Sequence, residues 1–180
     1  MDKFSNALVF ATEKHAGQTR KGGVTPYIMH PIEVALMVKA AGYSIECQIV
    51  ALLHDTMEDC GVQKKDLSVF GDDIVEAVAL LSKNYKPTSS KKYVERILNN
   101  DYAAIVKNYD RLANLREAKE TMDKEFIDKY VKNSYDYYGK FSKVLDSEIE
   151  GCSIGQIKNS RDFWLYKDET KRIYEATKYR

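Results

Sequence analysis

Residues 50–59 end an apolar run with two pairs of ionisable residues, His54-Asp55 and Glu58-Asp59. If the run is one buried helix, it carries His54 and Asp55 into the interior, where ionisable groups without partners cost several kcal/mol. A metal ion would remove that cost, because imidazole and carboxylate groups are metal ligands. Glu58 and Asp59 lie one helical turn further along, where carboxylates can act in general acid-base catalysis. The alternative interpretation is a solvated helix end without chemistry.

A metal site of this kind needs further ligands, and the chain has only three histidines, His15, His30 and His54. We interpret His30 as the second imidazole, because the following Pro31 places it at the entrance of a helix. Asp110 interrupts an apolar helical face and is the candidate second carboxylate, with pairing to a neighbouring arginine as the alternative. Two imidazoles and two carboxylates suit Mn²⁺, Fe²⁺ or Zn²⁺, and the oxygen content favours Mn²⁺.

The segments that would position these residues all show the apolar spacing of helices. Apolar spacing, glycine stops and polar caps predict helices over residues 4–16, 31–41, 44–61, 64–70, 74–81, 90–98, 101–118 and 123–147, with a last helix near 163–174. Ser44 is the expected N-cap of the helix that carries His54, and Asp72 or Asp73 that of 74–81. No segment shows a convincing strand pattern and no internal repeat is found. The sequence therefore predicts an all-α bundle.

Length, charge and cysteine content limit the classes of protein that are possible. A chain of 180 residues with 44% hydrophobic residues predicts one compact domain. The 28 basic and 27 acidic residues nearly balance, so the overall charge favours neither nucleic acid nor a membrane surface as a partner. Three cysteines without Cys-x-x-Cys spacing, and the lack of a signal sequence, lead us to expect a cytoplasmic protein. No apolar stretch approaches the roughly 20 residues of a membrane-spanning helix.

Several short motifs follow one another in an order that resembles the hydrolase domain of RelA/SpoT proteins. They are His15-Ala-Gly-Gln, Arg20-Lys21-Gly-Gly, Pro26-Tyr27-Ile-Met-His30-Pro31, Ala51-Leu-Leu-His54-Asp55 with Glu58-Asp59, and Asp110-Arg111-Leu112 with Asn114 and Arg116. The resemblance covers residues 3–145 and is similar in extent to the stand-alone small alarmone hydrolases, such as the metazoan SpoT homologues. It implies an HD-type helical bundle, with a hydrolase domain over 1–147. Residues 148–180 lie outside the resemblance, and we expect them to form a C-terminal helical extension that packs on the same domain.

The resemblance also implies roles for individual residues. His30, His54, Asp55 and Asp110 would bind Mn²⁺, Glu58 and Asp59 would be the catalytic acidic pair, and Arg20, Lys21 and Asn114 would contact the substrate. The implied activity is metal-dependent hydrolysis of (p)ppGpp, a small guanine nucleotide, to GDP or GTP and pyrophosphate. Two alternatives stay open: the same metal site acting on the 2′-phosphate of NADPH or on another nucleotide, and a catalytically silent nucleotide-binding module. Without the resemblance, Arg20 and Lys21 would be interpreted as a solvated basic loop.

Three residues depart from the pattern that these hydrolases often show. Ala113 stands where His is frequent after Asp-Arg-Leu, Glu117 stands where Thr is frequent after Asn-x-Arg, and Tyr109 stands where a small residue usually precedes the aspartate. These departures leave the metal ligands unchanged but bear on the choice of nucleotide. His15 also matches the pattern, and we interpret it as a structural or outer-shell residue, because two imidazoles already complete the ligand set.

Overall fold

The computed structural model describes residues 2–21, 23–86 and 88–121. In these ranges the chain forms α1 (Lys3–Lys14), α2 (Met29–Ala40), α3 (Ile45–Leu53), α4 (Thr56–Asp59), a 3₁₀ helix (Lys64–Phe70), α5 (Asp72–Leu81), α6 (Ser90–Leu98) and α7 (Asp101–Thr121). Besides these helices, the described ranges contain one isolated β-bridge, between Thr19 and Pro26. The predicted all-α class is confirmed. None of these helices is long and apolar enough to cross a membrane. The helices predicted over 123–147 and 163–174, and the boundary after residue 147, lie outside the described residues.

The chain divides into two units, Met1–Lys107 and Asn108–Arg180. In the first unit α3 is the central element and packs against α1, α2 and α5. Every residue of α3 from Cys47 to Leu53 is buried, as expected for a helix with almost entirely apolar side chains on all its faces. Each fully buried leucine or isoleucine there contributes roughly 1.5–3 kcal/mol. Ile45 is 46% exposed, because it occupies the open first turn of the helix.

The single helix predicted over residues 44–61 is wrong, because the structure ends α3 at Leu53 and starts α4 at Thr56. Two side chains at the break compete for backbone carbonyls that a continuous helix would use. The ring of His54 donates from Nδ1 to the carbonyl oxygen of Ala51 at 2.7 Å, and the hydroxyl of Thr56 donates to that of Leu53 at 2.7 Å. His54 and Asp55 therefore lie at a turn between two helices, and not inside one.

Helix caps agree with the sequence at α3 and differ at α5. The Ser44 hydroxyl accepts a hydrogen bond from the backbone nitrogen of Cys47 at 3.3 Å, which confirms the predicted N-cap of α3. The aspartate cap predicted for α5 is wrong, since Gly71 holds that position and Asp72 is already helical. Gly71 has a φ of 93°, a backbone conformation that glycine adopts readily and other residues do not.

The loop between α1 and α2 is a short hairpin that carries Arg20. The backbone nitrogen of Arg20 donates to the carbonyl oxygen of Thr25 at 2.8 Å, and that of Tyr27 donates to Gln18 at 2.9 Å. Gly17 turns the chain out of α1 with a φ of 79°. The hairpin therefore returns the chain to the start of α2 with the Tyr27 ring in a fixed position.

The loop between α5 and α6 is held by the guanidinium group of Arg96. This group donates hydrogen bonds to the carbonyl oxygens of Ser82 and Tyr85 at 2.8 and 2.6 Å, and to that of Lys86 at 3.0 Å. The planar arrangement of its donors allows one arginine to satisfy several carbonyls at once. The backbone around Lys83 is fixed as a result.

Candidate metal centre

The turn between α3 and α4 sets the carboxylate of Asp55 against two imidazoles. The Nε2 atom of His54 lies 3.0 Å from Oδ2 of Asp55, and Nε2 of His30, in the first turn of α2, lies 3.8 Å from the same oxygen. The two rings meet edge to face, with centroids 5.3 Å apart. Both histidines are buried, whereas the Asp55 side chain is 19% exposed. The structure thus brings together three of the four predicted ligands, and the Asp55 side chain is the one that reaches solvent.

The chemistry of this set fits a divalent metal ion. His54 donates its Nδ1 proton to the carbonyl oxygen of Ala51, so its Nε2 atom is the ring nitrogen that faces Asp55 and is placed to bind a metal ion. A nitrogen lone pair and a carboxylate oxygen 3.0 Å apart attract each other only when a proton or a metal cation lies between them. Ligand atoms about 2.1 Å from one octahedral ion are roughly 3 Å apart when adjacent and about 4.2 Å apart when opposite. Both separations measured from Asp55 Oδ2 lie in that range.

The fourth predicted ligand, Asp110, lies on α7 and is buried. Asn114, one turn further along this helix, donates from Nδ2 to the backbone oxygen of Asp110 at 2.9 Å and to its Oδ1 at 2.5 Å. The amide therefore fixes the rotamer of the carboxylate. Asp110 thus offers a buried carboxylate oxygen of the type that binds metal ions.

Tyr27 is a site residue that sequence reasoning missed. Its hydroxyl lies 2.8 Å from Oδ2 of Asp55 and 3.0 Å from Oδ2 of Asp59, so it donates between a predicted ligand and a predicted catalytic carboxylate. Burial and the charge of Asp55 raise the pKa of Tyr27 far above its ordinary range, so the hydroxyl keeps its proton. The signal available in the sequence was its position three residues before His30, in the loop that leads into α2.

Glu58 and Asp59 face different partners although they are adjacent on α4. The Glu58 carboxylate accepts one hydrogen bond from the backbone nitrogen of Lys83 and one from its Nζ, both at 2.8 Å. Asp59 instead faces Tyr27, and burial together with the charge of Asp55 raises the pKa of its carboxyl group. The predicted acidic pair is therefore divided between two environments, one beside an ammonium group and one beside another carboxylate.

The predicted substrate contacts lie on two elements. Arg20 and Lys21 are on the hairpin, where the guanidinium carbon of Arg20 lies 5.3 Å from the centre of the Tyr27 ring, within cation–π distance. Lys21 is exposed. The third predicted contact, Asn114, is on α7 and bonds to Asp110 as described above.

His15 packs on Tyr27. The two rings are stacked, with centroids 4.8 Å apart and planes at 24°. The Nδ1 atom of His15 lies 2.8 Å from Oε1 of Gln18 and 3.3 Å from the sulfur of Cys60. These contacts fit the interpretation of His15 as a structural or outer-shell residue.

Comparisons with known proteins identify relatives of the chain. A family profile described as HD domain matches residues 7–91. The guanosine-3′,5′-bis(diphosphate) 3′-pyrophosphohydrolase of Aquifex aeolicus is 31% identical over 98% of this chain and 25% of its own length. The GTP pyrophosphokinase of Myxococcus xanthus is 27% identical over 99% of this chain and 26% of its own length. The chain thus spans about a quarter of the length of these curated relatives.

A solved structure shares the fold over nearly the whole of both chains. It is described as a metazoan ortholog of SpoT that hydrolyses ppGpp and plays a role in starvation responses. Its TM-score is 0.74 at 25% identity, and the match covers 96% of this chain and 95% of that one. The helical fold, the family match and the histidine–aspartate centre define the chain as an HD-domain protein. The matches to this SpoT ortholog and to the curated relatives confirm the resemblance to RelA/SpoT hydrolases seen in the sequence.

Proposed function

We propose that this chain is a metal-dependent guanosine 3′,5′-bis(diphosphate) 3′-pyrophosphohydrolase that converts (p)ppGpp to GDP or GTP and pyrophosphate. The observation that carries the proposal is the Asp55 carboxylate, set 3.0 and 3.8 Å from two buried imidazole nitrogens. The match in fold and extent to a protein described as hydrolysing ppGpp favours this substrate over other phosphate esters. We propose that it acts in the cytoplasm, because three cysteines without Cys-x-x-Cys spacing fit a reducing compartment. We propose a free nucleotide as substrate, because the nearly balanced charge of the chain gives no general attraction for nucleic acid or anionic lipid.

The proposed metal ligands are His30, His54, Asp55 and Asp110, and the proposed metal is Mn²⁺. This mixed set of nitrogen and oxygen ligands suits Mn²⁺, and Zn²⁺ or Fe²⁺ would also fit it. When bound, the ion supplies a water molecule of lowered pKa and polarises a phosphoryl oxygen. Asn114 supports the set, since its hydrogen bond to Oδ1 holds the Asp110 carboxylate in one rotamer.

Glu58 and Asp59 are the residues proposed to transfer protons. Glu58, oriented by two hydrogen bonds from Lys83, is the base that takes a proton from the attacking water. The raised pKa of Asp59 suits it to carry a proton and give it to the leaving ribose 3′ oxygen. The water oxygen bonds to phosphorus while the bond between phosphorus and the 3′ oxygen breaks. One proton leaves the water and one reaches the ribose, so the step balances without a covalent intermediate.

The hairpin residues are proposed to hold the nucleotide. Arg20 has a planar guanidinium group near an aromatic ring, an arrangement that allows a guanine base to stack on it. Lys21 is exposed next to it and would pair with phosphate as a point charge. Asn114 would add a polar contact from α7.

The product distinguishes this activity from its alternatives. Cleavage at the ribose 3′ oxygen releases intact pyrophosphate and leaves the 5′ phosphates in place, whereas an NADPH phosphatase or a nucleotidase would release orthophosphate. The Mn²⁺-loaded protein is incubated separately with guanosine tetraphosphate, NADPH and GMP, and the products are separated by ion-exchange chromatography. We expect GDP and pyrophosphate from the first substrate, and no such products with chelator-treated protein.

Two results would contradict the proposal. Orthophosphate from NADPH or GMP, with guanosine tetraphosphate unchanged, would refute the alarmone activity and keep the metal site. Binding of guanosine tetraphosphate without any product would identify a silent nucleotide-binding module.

A further inference from the structure

We infer that Tyr27 is a positioning residue for this reaction, because its hydroxyl holds the carboxylate of Asp59 beside Asp55. The inference rests on the proposed function. The hydroxyl lies 3.0 Å from Oδ2 of Asp59 and 2.8 Å from Oδ2 of Asp55. Tyr27 therefore connects the residue proposed to donate a proton with the residue proposed to bind the metal.

Asp59 needs such a partner because of its position on the chain. It is the last residue of α4, a helix of four residues, and although its carboxyl group is partly desolvated, the residue as a whole is exposed. Within the described part of the chain, the Asp59 carboxylate accepts its side-chain hydrogen bond from the hydroxyl of Tyr27. Without it, repulsion from Asp55 would turn the carboxylate towards water, and proton transfer depends on a placement within hydrogen-bond reach.

Tyr27 is held in turn by contacts on the hairpin side. Its backbone nitrogen donates to the carbonyl oxygen of Gln18 at 2.9 Å, and its ring stacks on His15 at 4.8 Å. His15 is 2% exposed and is itself fixed by Oε1 of Gln18 at 2.8 Å from its Nδ1. The hydroxyl therefore projects from a half-buried ring that stacks on a buried one, and the direction of its hydrogen bond is set before substrate arrives. His15 therefore supports Tyr27, in keeping with its interpretation as a structural residue, and Gln18 supports His15.

The variant Tyr27→Phe tests the inference, because it removes the hydroxyl and keeps the ring that stacks on His15. We expect kcat for guanosine tetraphosphate to fall about 10–100-fold, as for other residues that orient a metal-site group, with KM within about twofold and Mn²⁺ content unchanged. If Tyr27 acts through Asp59, the double variant Tyr27→Phe/Asp59→Asn should be no slower than Asp59→Asn alone. Losses that multiply in the double variant, or a normal kcat in Tyr27→Phe, would overturn the inference.

Tyr93→Phe is the matched control. Tyr93 is buried, and its hydroxyl donates to a backbone carbonyl, that of Leu81 at 2.6 Å, away from the carboxylates. Removal of this hydroxyl should leave kcat close to that of the wild type. A kcat loss of equal size in Tyr93→Phe would show that a lost buried hydroxyl, and not the contact to Asp59, explains the effect, and would also overturn the inference.

A second measurement separates this inference from the proposed function. The carboxyl ¹³C signal of Asp59, in metal-free protein with labelled aspartate, reports the contact without any turnover. We expect this signal to shift in Tyr27→Phe and to stay in place in Tyr93→Phe. If the wild type leaves guanosine tetraphosphate intact, the proposed function fails while a shifted signal still supports the contact. An unshifted signal refutes the inference whether or not the wild type is active.

Discussion

Replacing Asp55 by asparagine tests the metal centre, because the amide keeps the shape of the side chain and removes its charge. Oδ2 of Asp55 is the shared neighbour of His54 Nε2 at 3.0 Å and of His30 Nε2 at 3.8 Å. Changes to groups that only orient the ligands of a metal site already cost about 10–100-fold in affinity or activity. We therefore expect the loss of a direct ligand to weaken Mn²⁺ binding by about 100-fold or more.

Thermal unfolding converts this change in affinity into a shift of Tm. At a Mn²⁺ concentration about 100 times Kd, binding stabilises the native state by about 2.7 kcal/mol. In a chain of this size that raises Tm by roughly 5–11 °C. Asp55→Asn with a Kd about 100-fold higher would gain only about 0.4 kcal/mol, or roughly 1–2 °C.

Isothermal titration calorimetry with Mn²⁺ measures the two Kd values directly, and calorimetric unfolding with and without Mn²⁺ measures the shifts. The matched control is Asp73→Asn, which removes a carboxylate from the exposed first turn of α5 and should retain the full shift of Tm. A Mn²⁺-induced shift in Asp55→Asn equal to that of the wild type would remove Asp55 from the ligand set.

Three further predictions concern the acidic pair and the hairpin. Glu58→Gln should retain Mn²⁺ and lose roughly 100-fold or more in kcat, the range of general acid and base groups; single-turnover rates measure this, and an unchanged rate would assign the proton transfer to Asp59. Arg20→Ala should mainly raise KM for guanosine tetraphosphate if its contact is equal in the ground and transition states; steady-state kinetics with a loss confined to kcat would contradict this. Burial and the charge of Asp55 raise the pKa of Asp59 above its ordinary 3.8. The folded metal-free protein therefore binds this proton more tightly than the unfolded chain does. Its free energy of unfolding falls as the pH rises from 3.8 through the raised pKa. Asp59→Asn should therefore have a higher Tm than the wild type at neutral pH and the same Tm below pH 3.8. Calorimetric scans at the two pH values measure this, and equal Tm values for the two proteins at neutral pH would refute the raised pKa of Asp59.

Much of the fold could be predicted because its signals are local. Apolar spacing places α1, α2, α5, α6 and α7 close to their observed bounds, since a helix buries residues that recur every three or four positions. The Ser44 cap and the stop of α2 before Gly42 are also local, as each depends on the backbone of a few neighbouring residues. The cap of α5 was missed because a glycine with positive φ and an aspartate one residue later are both plausible starts.

The sequence by itself determined which residue types are available for chemistry, and the motif order pointed to the metal-binding histidines and aspartates. Only the tertiary structure decided how they are used. It broke the helix at His54, because side chains there compete for backbone carbonyls. It joined Tyr27 to Asp59 across 32 residues, and Lys83 to Glu58 across 25. A change of a few tenths of an ångström between donor and acceptor decides whether such a hydrogen bond forms. The packing of α1, α2, α3 and α5 sets this distance, so no local pattern in the sequence predicts it.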